Sequence, residues 1–119
     1  MSLEPHSVEA LCGIPVTSKG WKGSFRDLFD LALPAISDRR ATVGEMRRIL
    51  TDQPKLIDAW EGFSEDNRST PAPYLRGTEV GDFDGSYSSV IIHEDRVSAC
   101  IDFIFRRVVG LKLAERDFA

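Results

Sequence analysis

His6, His93, Cys12 and Cys100 are the residues best equipped for nucleophilic or metal chemistry in this chain. A Cys–His pair works only when thiol and imidazole lie within hydrogen-bond reach and a third group orients the base. Cys100 follows His93 by seven residues, but its helical phase turns the thiol toward an apolar stripe, where it acts as a small core residue. Zinc sites need closely spaced ligand pairs, and two histidines with two distant cysteines supply none. Asp82-Phe83-Asp84-Gly85 resembles the start of a calcium loop. Its glycine stands fourth rather than sixth, and no third ligand falls at the right offset. Asp82 and Asp84 share a strand face about 7 Å apart, within the range of glycoside-cleaving carboxylate pairs, yet any Asp-x-Asp on a strand does the same. The glycines are dispersed, so no loop is built to cradle phosphate. The sequence therefore points to no catalytic residue, cofactor or metal, and the chain is read as a non-enzyme.

Charge carries more information. Between residues 61 and 102 stand Glu61, Glu65, Asp66, Glu79, Asp82, Asp84, Glu94, Asp95 and Asp102, opposed only by Arg68, Arg76 and Arg96, for a net −6. Residues 1–60 balance at zero and the stretch from Phe103 onward is +2, giving the overall −4. A concentrated field of one sign attracts a partner of the other. It also argues against a nucleic-acid binder that works by neutralising phosphates. The paired arginines at 39–40, 47–48 and 106–107 are scattered and read as solvated helix faces.

The elements that must position these acids follow from periodicity. Val8, Leu11 and Cys12 fit one helical turn stopped by Gly13 and Pro15, and residues 1–23 are expected to be loosely ordered, with Trp21 tucked against the core. Ser24 and Asp27 open a helix with Phe25, Leu28, Phe29, Ala32 and Ile36 on one face, bent or ended early by Pro34. Thr42 and Glu45 form a capping box for a second helix burying Val43, Met46, Ile49 and Leu50. Pro54 suits the first position of a third helix, striped by Leu56, Ala59, Trp60 and Phe63. Residues 64–73 are polar, carry two prolines and read as a loop. Strands are expected at Tyr74–Leu75, at Thr78–Phe83 and, after an Asp84-Gly85 hairpin turn, at Tyr87–His93. Asp95 then caps a long last helix with Val97, Cys100, Ile101, Ile104, Phe105 and Val108 on one face and Asp102, Arg106 and Arg107 on the other. This order describes an α+β fold: N-terminal helices, a small antiparallel β-hairpin or sheet, and a long C-terminal helix.

A chain of 119 residues with 42% hydrophobic and 29% charged residues is expected to form one domain with its own core. Two cysteines do not call for a bridge in a chain of this size. The N-terminus lacks a basic segment followed by an apolar one, and no apolar run approaches membrane-spanning length. A cytoplasmic protein is expected.

The stretch from Asp58 to Leu75 carries a pattern of Trp60, Phe63, Ser64, Glu65, Asp66, Arg68, Pro71 and Tyr74-Leu75. A Val80-Gly81 hairpin strand follows, then a last helix opening with Ala99-Cys100 and containing Phe103-Ile104. Over roughly residues 50–108 this resembles small bacterial immunity proteins of toxin systems, which bind and silence a cognate toxin, often a nuclease. The chain departs from the pattern in carrying Arg106-Arg107 near the end of the last helix, where an acid is expected. Physically, Arg68 is placed to pair with Glu65 or Asp66 and pin the loop, while Trp60, Phe63 and Tyr74 anchor its ends.

The expectation is a protein that neutralises a basic toxin domain, such as a nuclease, through an acidic surface of Glu79, Asp82 and Asp84, with Glu61 and Glu94 beside them. A small non-catalytic subunit or adaptor of a larger complex, held by apolar contact, is the competing reading. Neither involves a membrane or direct contact with nucleic acid.

Overall fold

The computed structural model describes residues 8–17, 39–66 and 72–110. Within them run α1 (Val8–Cys12), α2 (Ile14–Thr17), α3 (Arg39–Asp52), α4 (Lys55–Asp66), β1 (Ala72–Arg76), β2 (Glu79–Phe83), β3 (Tyr87–Ile92) and α5 (Arg96–Ile104). The last helix continues as a π-helical turn, Phe105–Val109, closed by Gly110 in the left-handed conformation. The fold is α+β, as expected. The helix expected from Ser24, Pro34's effect on it, Trp21, His6 and Arg68 lie outside the described residues.

The strands form one antiparallel sheet in the order β1-β2-β3. Leu75 pairs with Val80 and Tyr74 with Gly81, while Val80 pairs with Ile91 and Phe83 with Tyr87. Alternation gives the sheet two unlike faces. Leu75 and Val80 are buried beneath α5, which crosses β1 and β2, whereas β3 packs chiefly on β2. The hairpin loop 84–86 turns on Gly85, whose φ of +78° is one that side chains disfavour.

The core gathers Leu11, Cys12 and Ile14 from α1 and α2, Met46 and Leu50 from α3, Trp60 from α4, and the apolar residues between 99 and 105 of the last helix. Residues 8–17, expected to be loose, thus supply core side chains, and Pro15 begins rather than stops a helix because its missing N–H has no bond to lose in the first turn. Trp60 is fully buried and lies edge-on to Phe63 and Phe103, with centroids 5.5 and 6.0 Å away. Its indole N–H donates to the Cys12 carbonyl at 2.8 Å, which fastens α4 to the N-terminal segment. Each such large apolar side chain contributes about 1.5–3 kcal/mol on burial.

Two helix boundaries differ from expectation. Thr42 lies inside α3 and is buried, so it does not cap. Helix α4 runs past Ser64 to Asp66, because the Ser64 hydroxyl accepts the Leu75 backbone N–H at 2.9 Å and ties the helix end to β1. Asp95 caps α5 as expected, accepting the Ser98 N–H at 2.7 Å. No helix among the described residues is long and apolar enough to cross a membrane.

Candidate functional site: the β2–β3 hairpin

Both sides of the hairpin differ from what charge counting anticipates. On the inner side, Asp102 is fully buried and Arg106 nearly so, although periodicity put both on an exposed helix face. The last helix is enclosed on almost every side from Ser98 to Arg106, so it has no solvent face there. A buried carboxylate must be paired to remain charged. Arg106 Nε and Nη2 donate to the two Asp102 carboxylate oxygens at 2.9 and 3.1 Å, a fork held at i,i+4 spacing. His93 Nε2 meets Asp102 Oδ2 at 2.8 Å. Arg106 Nη1 donates to the Ser89 carbonyl at 3.0 Å and lies 3.6 Å from Asp82 Oδ2. No buried side-chain nitrogen or oxygen among the described residues lacks a partner.

That network shapes the strand above it. Between the Val80–Ile91 and Asp82–Ser88 pairs the register slips by one residue, so Gly81 faces both Ser89 and Val90. This is a bulge, and its first residue occupies the left-handed region normally filled by glycine. Here that residue is Ser89, at φ +52°. A side chain held there costs on the order of 1–3 kcal/mol unless its surroundings impose it. The Arg106 guanidinium grips the Ser89 carbonyl from beneath and braces that conformation.

The outer face is aromatic. The Tyr74 ring lies over Gly81 so closely that an added Cβ would sit 2.8 Å from it. Tyr87 stacks edgewise on Tyr74 at 5.6 Å and leans on Phe83 at 4.9 Å. The Tyr74 hydroxyl donates to Glu79 at 2.5 Å. Burial and that carboxylate together push its pKa up to about 12. Beside this face, a cleft of about 350 Å³ opens toward the end of α4, where Glu61 and Ser64 meet Tyr74, Arg76, Phe83 and Tyr87.

The five expected contact acids therefore divide. Glu61 and Asp58 both accept hydrogen bonds from Arg96, at 3.0 and 2.6 Å. These acids hold the Arg96 pKa above its ordinary value, the Asp58 bond being the larger influence. Asp82 points inward to Arg106, and Glu79 receives Tyr74. Only Asp84, in the hairpin turn, and Glu94, just past β3, are exposed without a side-chain partner among the described residues. Asp82 and Asp84 do not act as a pair, because one turns under the sheet and the other lies in the turn. Of the structural motif, Trp60 is core, Phe63 is buried with Arg107 stacked 5.6 Å above its ring, and Tyr74 anchors the outer face.

Strand β3 presents what charge counting overlooked. All six of its residues are exposed, and Tyr87, Val90, Ile91 and Ile92 show 60, 45, 39 and 65% of their surface. A signal existed: Val90-Ile91-Ile92 is an apolar run in the last strand of a short sheet, where one edge must stay uncovered. Asp102 was also legible, as a lone acid in the apolar run 99–105, since a helix apolar all round is buried.

Both cysteines are free and buried, and burial pushes the Cys100 thiol well above its ordinary pKa. Among the described residues no group of three or more His, Cys, Asp or Glu side chains could hold a metal ion. Set against family models, curated proteins and solved structures, the chain finds no match.

Proposed function

We propose that this chain is a binding protein of the immunity or antitoxin type, which neutralises a basic toxin domain by covering it with the β2–β3 hairpin. The observation that carries the reading is the exposed apolar strand β3, bracketed by the unpaired acids Asp84 and Glu94. Apolar surface supplies contact energy and excludes water, while acids at its ends steer a basic partner and fix its orientation. The free acids are fewer than the sequence count, because Glu61, Glu79 and Asp82 are engaged within the fold. They support the surface by holding Arg96, Tyr74 and Arg106 in place.

Capture from a lysate of the native host, followed by titration of the captured protein, tests this. The expected result is a basic protein whose toxicity falls in proportion to added chain. Association should slow about tenfold or more as salt rises from about 0.05 to 0.5 M. Converting Asp84 to Asn and Glu94 to Gln together should slow association in the same way. An affinity indifferent to both treatments would favour the second reading, a small adaptor held by apolar contact, which the exposure of Val90, Ile91 and Ile92 supports.

A further inference from the structure

We infer that β3 is a docking edge that accepts an extended segment of the partner as a fourth strand, and that this segment is apolar in its middle with lysine or arginine at each end. The inference rests on the binding reading above and adds its geometry. β3 ends the sheet, with no strand beyond it among the described residues. The His93 N–H donates inward to the Thr78 carbonyl at 2.9 Å. Strand alternation then turns the Ile92 N–H and carbonyl outward, as antiparallel pairing requires of every second residue. A row of such outward groups, with apolar side chains on both faces, is a template for another strand.

Edges of this kind are normally blunted by lysine, proline, an inward charge or a bulge, and from Tyr87 to Ile92 β3 carries only the last. The bulge at Ser89 is its one irregularity, and Arg106 fixes it from beneath. The opposite edge is different, since β1 is covered by the end of α4. Charge selects the occupant. If two copies paired antiparallel about the middle of β3, Asp84 of each would stand opposite Asp95 of the other. Parallel pairing would align Asp84 with Asp84 and Glu94 with Glu94. Like charges directly opposed are destabilising, so the ends of this edge repel a second copy and attract a segment with cationic ends.

The test uses a synthetic peptide of about ten residues with capped ends, alternating threonine and valine between lysine pairs. It is compared with the same peptide N-methylated at alternate backbone nitrogens, and with a version ending in glutamates. Anisotropy titration against the full chain should give binding to the first and a loss of about tenfold or more for each of the others. Hydrogen exchange at the Ile92 amide should slow when the first peptide is bound. Ile92→Pro removes only an outward N–H, which edge strands tolerate, and should cost about tenfold, against less than about threefold for Ile92→Ala. Equal binding of the free and N-methylated peptides would overturn strand addition. The need for cationic ends, and the salt response of the captured toxin, would then still report on the acidic surface separately. Failure of all three peptides to bind would likewise overturn it, as would a concentration-dependent dimer of the chain abolished by Ile92→Pro.

Discussion

The two sides of the β2–β3 hairpin handle polarity in opposite ways. Beneath it, Asp102, Arg106 and His93 are withdrawn from water, and each carboxylate oxygen and guanidinium nitrogen that is buried finds a partner. At its edge, Val90, Ile91 and Ile92 keep a large part of their apolar surface in water. Charge lies inside and apolar surface outside, the reverse of the ordinary distribution. The inner arrangement costs desolvation and returns shape: Arg106 holds Ser89 in a conformation that serine rarely adopts, and this sets the course of β3. The outer arrangement leaves apolar surface in water that the described residues do not cover. A buried network thus fixes the path of a strand whose apolar side chains stay largely exposed.

Breaking the inner side should have the largest effect. Arg106→Met leaves Asp102 with His93 alone, frees the Ser89 carbonyl and removes the cation beside Asp82. Losing one partner of a buried pair costs about 3–5 kcal/mol, readable as a lower midpoint in urea unfolding. Adding Asp102→Leu should recover much of that loss, because an apolar pair of similar volume replaces a buried ion pair at little or no cost. If the double variant is no better than the single, the contact with Ser89 matters more than the Asp102 charge. Next in size is Gly81→Ala. Its Cβ would enter the Tyr74 ring, which Glu79 and Tyr87 hold in place. Overpacking of this kind costs about 1–3 kcal/mol. Tyr74→Leu in the same chain should cancel part of it, a non-additivity expected of residues in contact.

Much of the fold was legible because its signals are local. Alternation and the Asp84-Gly85 turn placed β2 and β3 within a residue of where they lie, and Asp95 caps the last helix as its position implied. What escaped was set by tertiary neighbours. Thr42 looks like a cap, yet the chain before it was already helical from Arg39, and a capping signature loses its meaning once the helix starts earlier. Arg106 looks like a solvent residue on a helical wheel, but a wheel cannot show that the sheet covers the second face. The site suffered most from this. Counting charges grouped Glu79 and Asp82 with Asp84 and set Glu61 and Glu94 beside them, whereas only Asp84 and Glu94 are left without a side-chain partner among the described residues. Which acids are spent on internal partners depends on arginines far away in sequence, such as Arg96 for Glu61 and Arg106 for Asp82.

A smaller effect separates local capping from the network beside it. Asp95→Ala should cost about 1 kcal/mol, the usual value of an N-cap. The Ser98 backbone N–H, ahead of the Arg47 charge, holds the Asp95 carboxyl below its ordinary value of 3.8. A carboxyl with a lowered folded pKa stabilises fully above its unfolded pKa, and that stabilisation is lost as pH falls through the folded value. The difference in stability between the original chain and Asp95→Ala should therefore be constant near neutrality and shrink below about pH 4. A gap that persists at low pH would mean that the side chain acts through packing, not through its charge.

The smallest expected change tests the open side most directly. Ile92→Thr exchanges one β-branched side chain for another at a position 65% exposed, so strand propensity is kept. It should alter folding stability by less than about 0.5 kcal/mol in urea unfolding, as surface substitutions do. An apolar side chain that supported the fold of the isolated chain would instead cost more than about 1 kcal/mol on such a change. The same substitution should weaken capture of a partner, because that contact draws on the apolar edge. Stability unchanged with binding reduced would assign Ile92 to contact. Stability reduced with binding unchanged would mean that β3 is packed against part of this same chain.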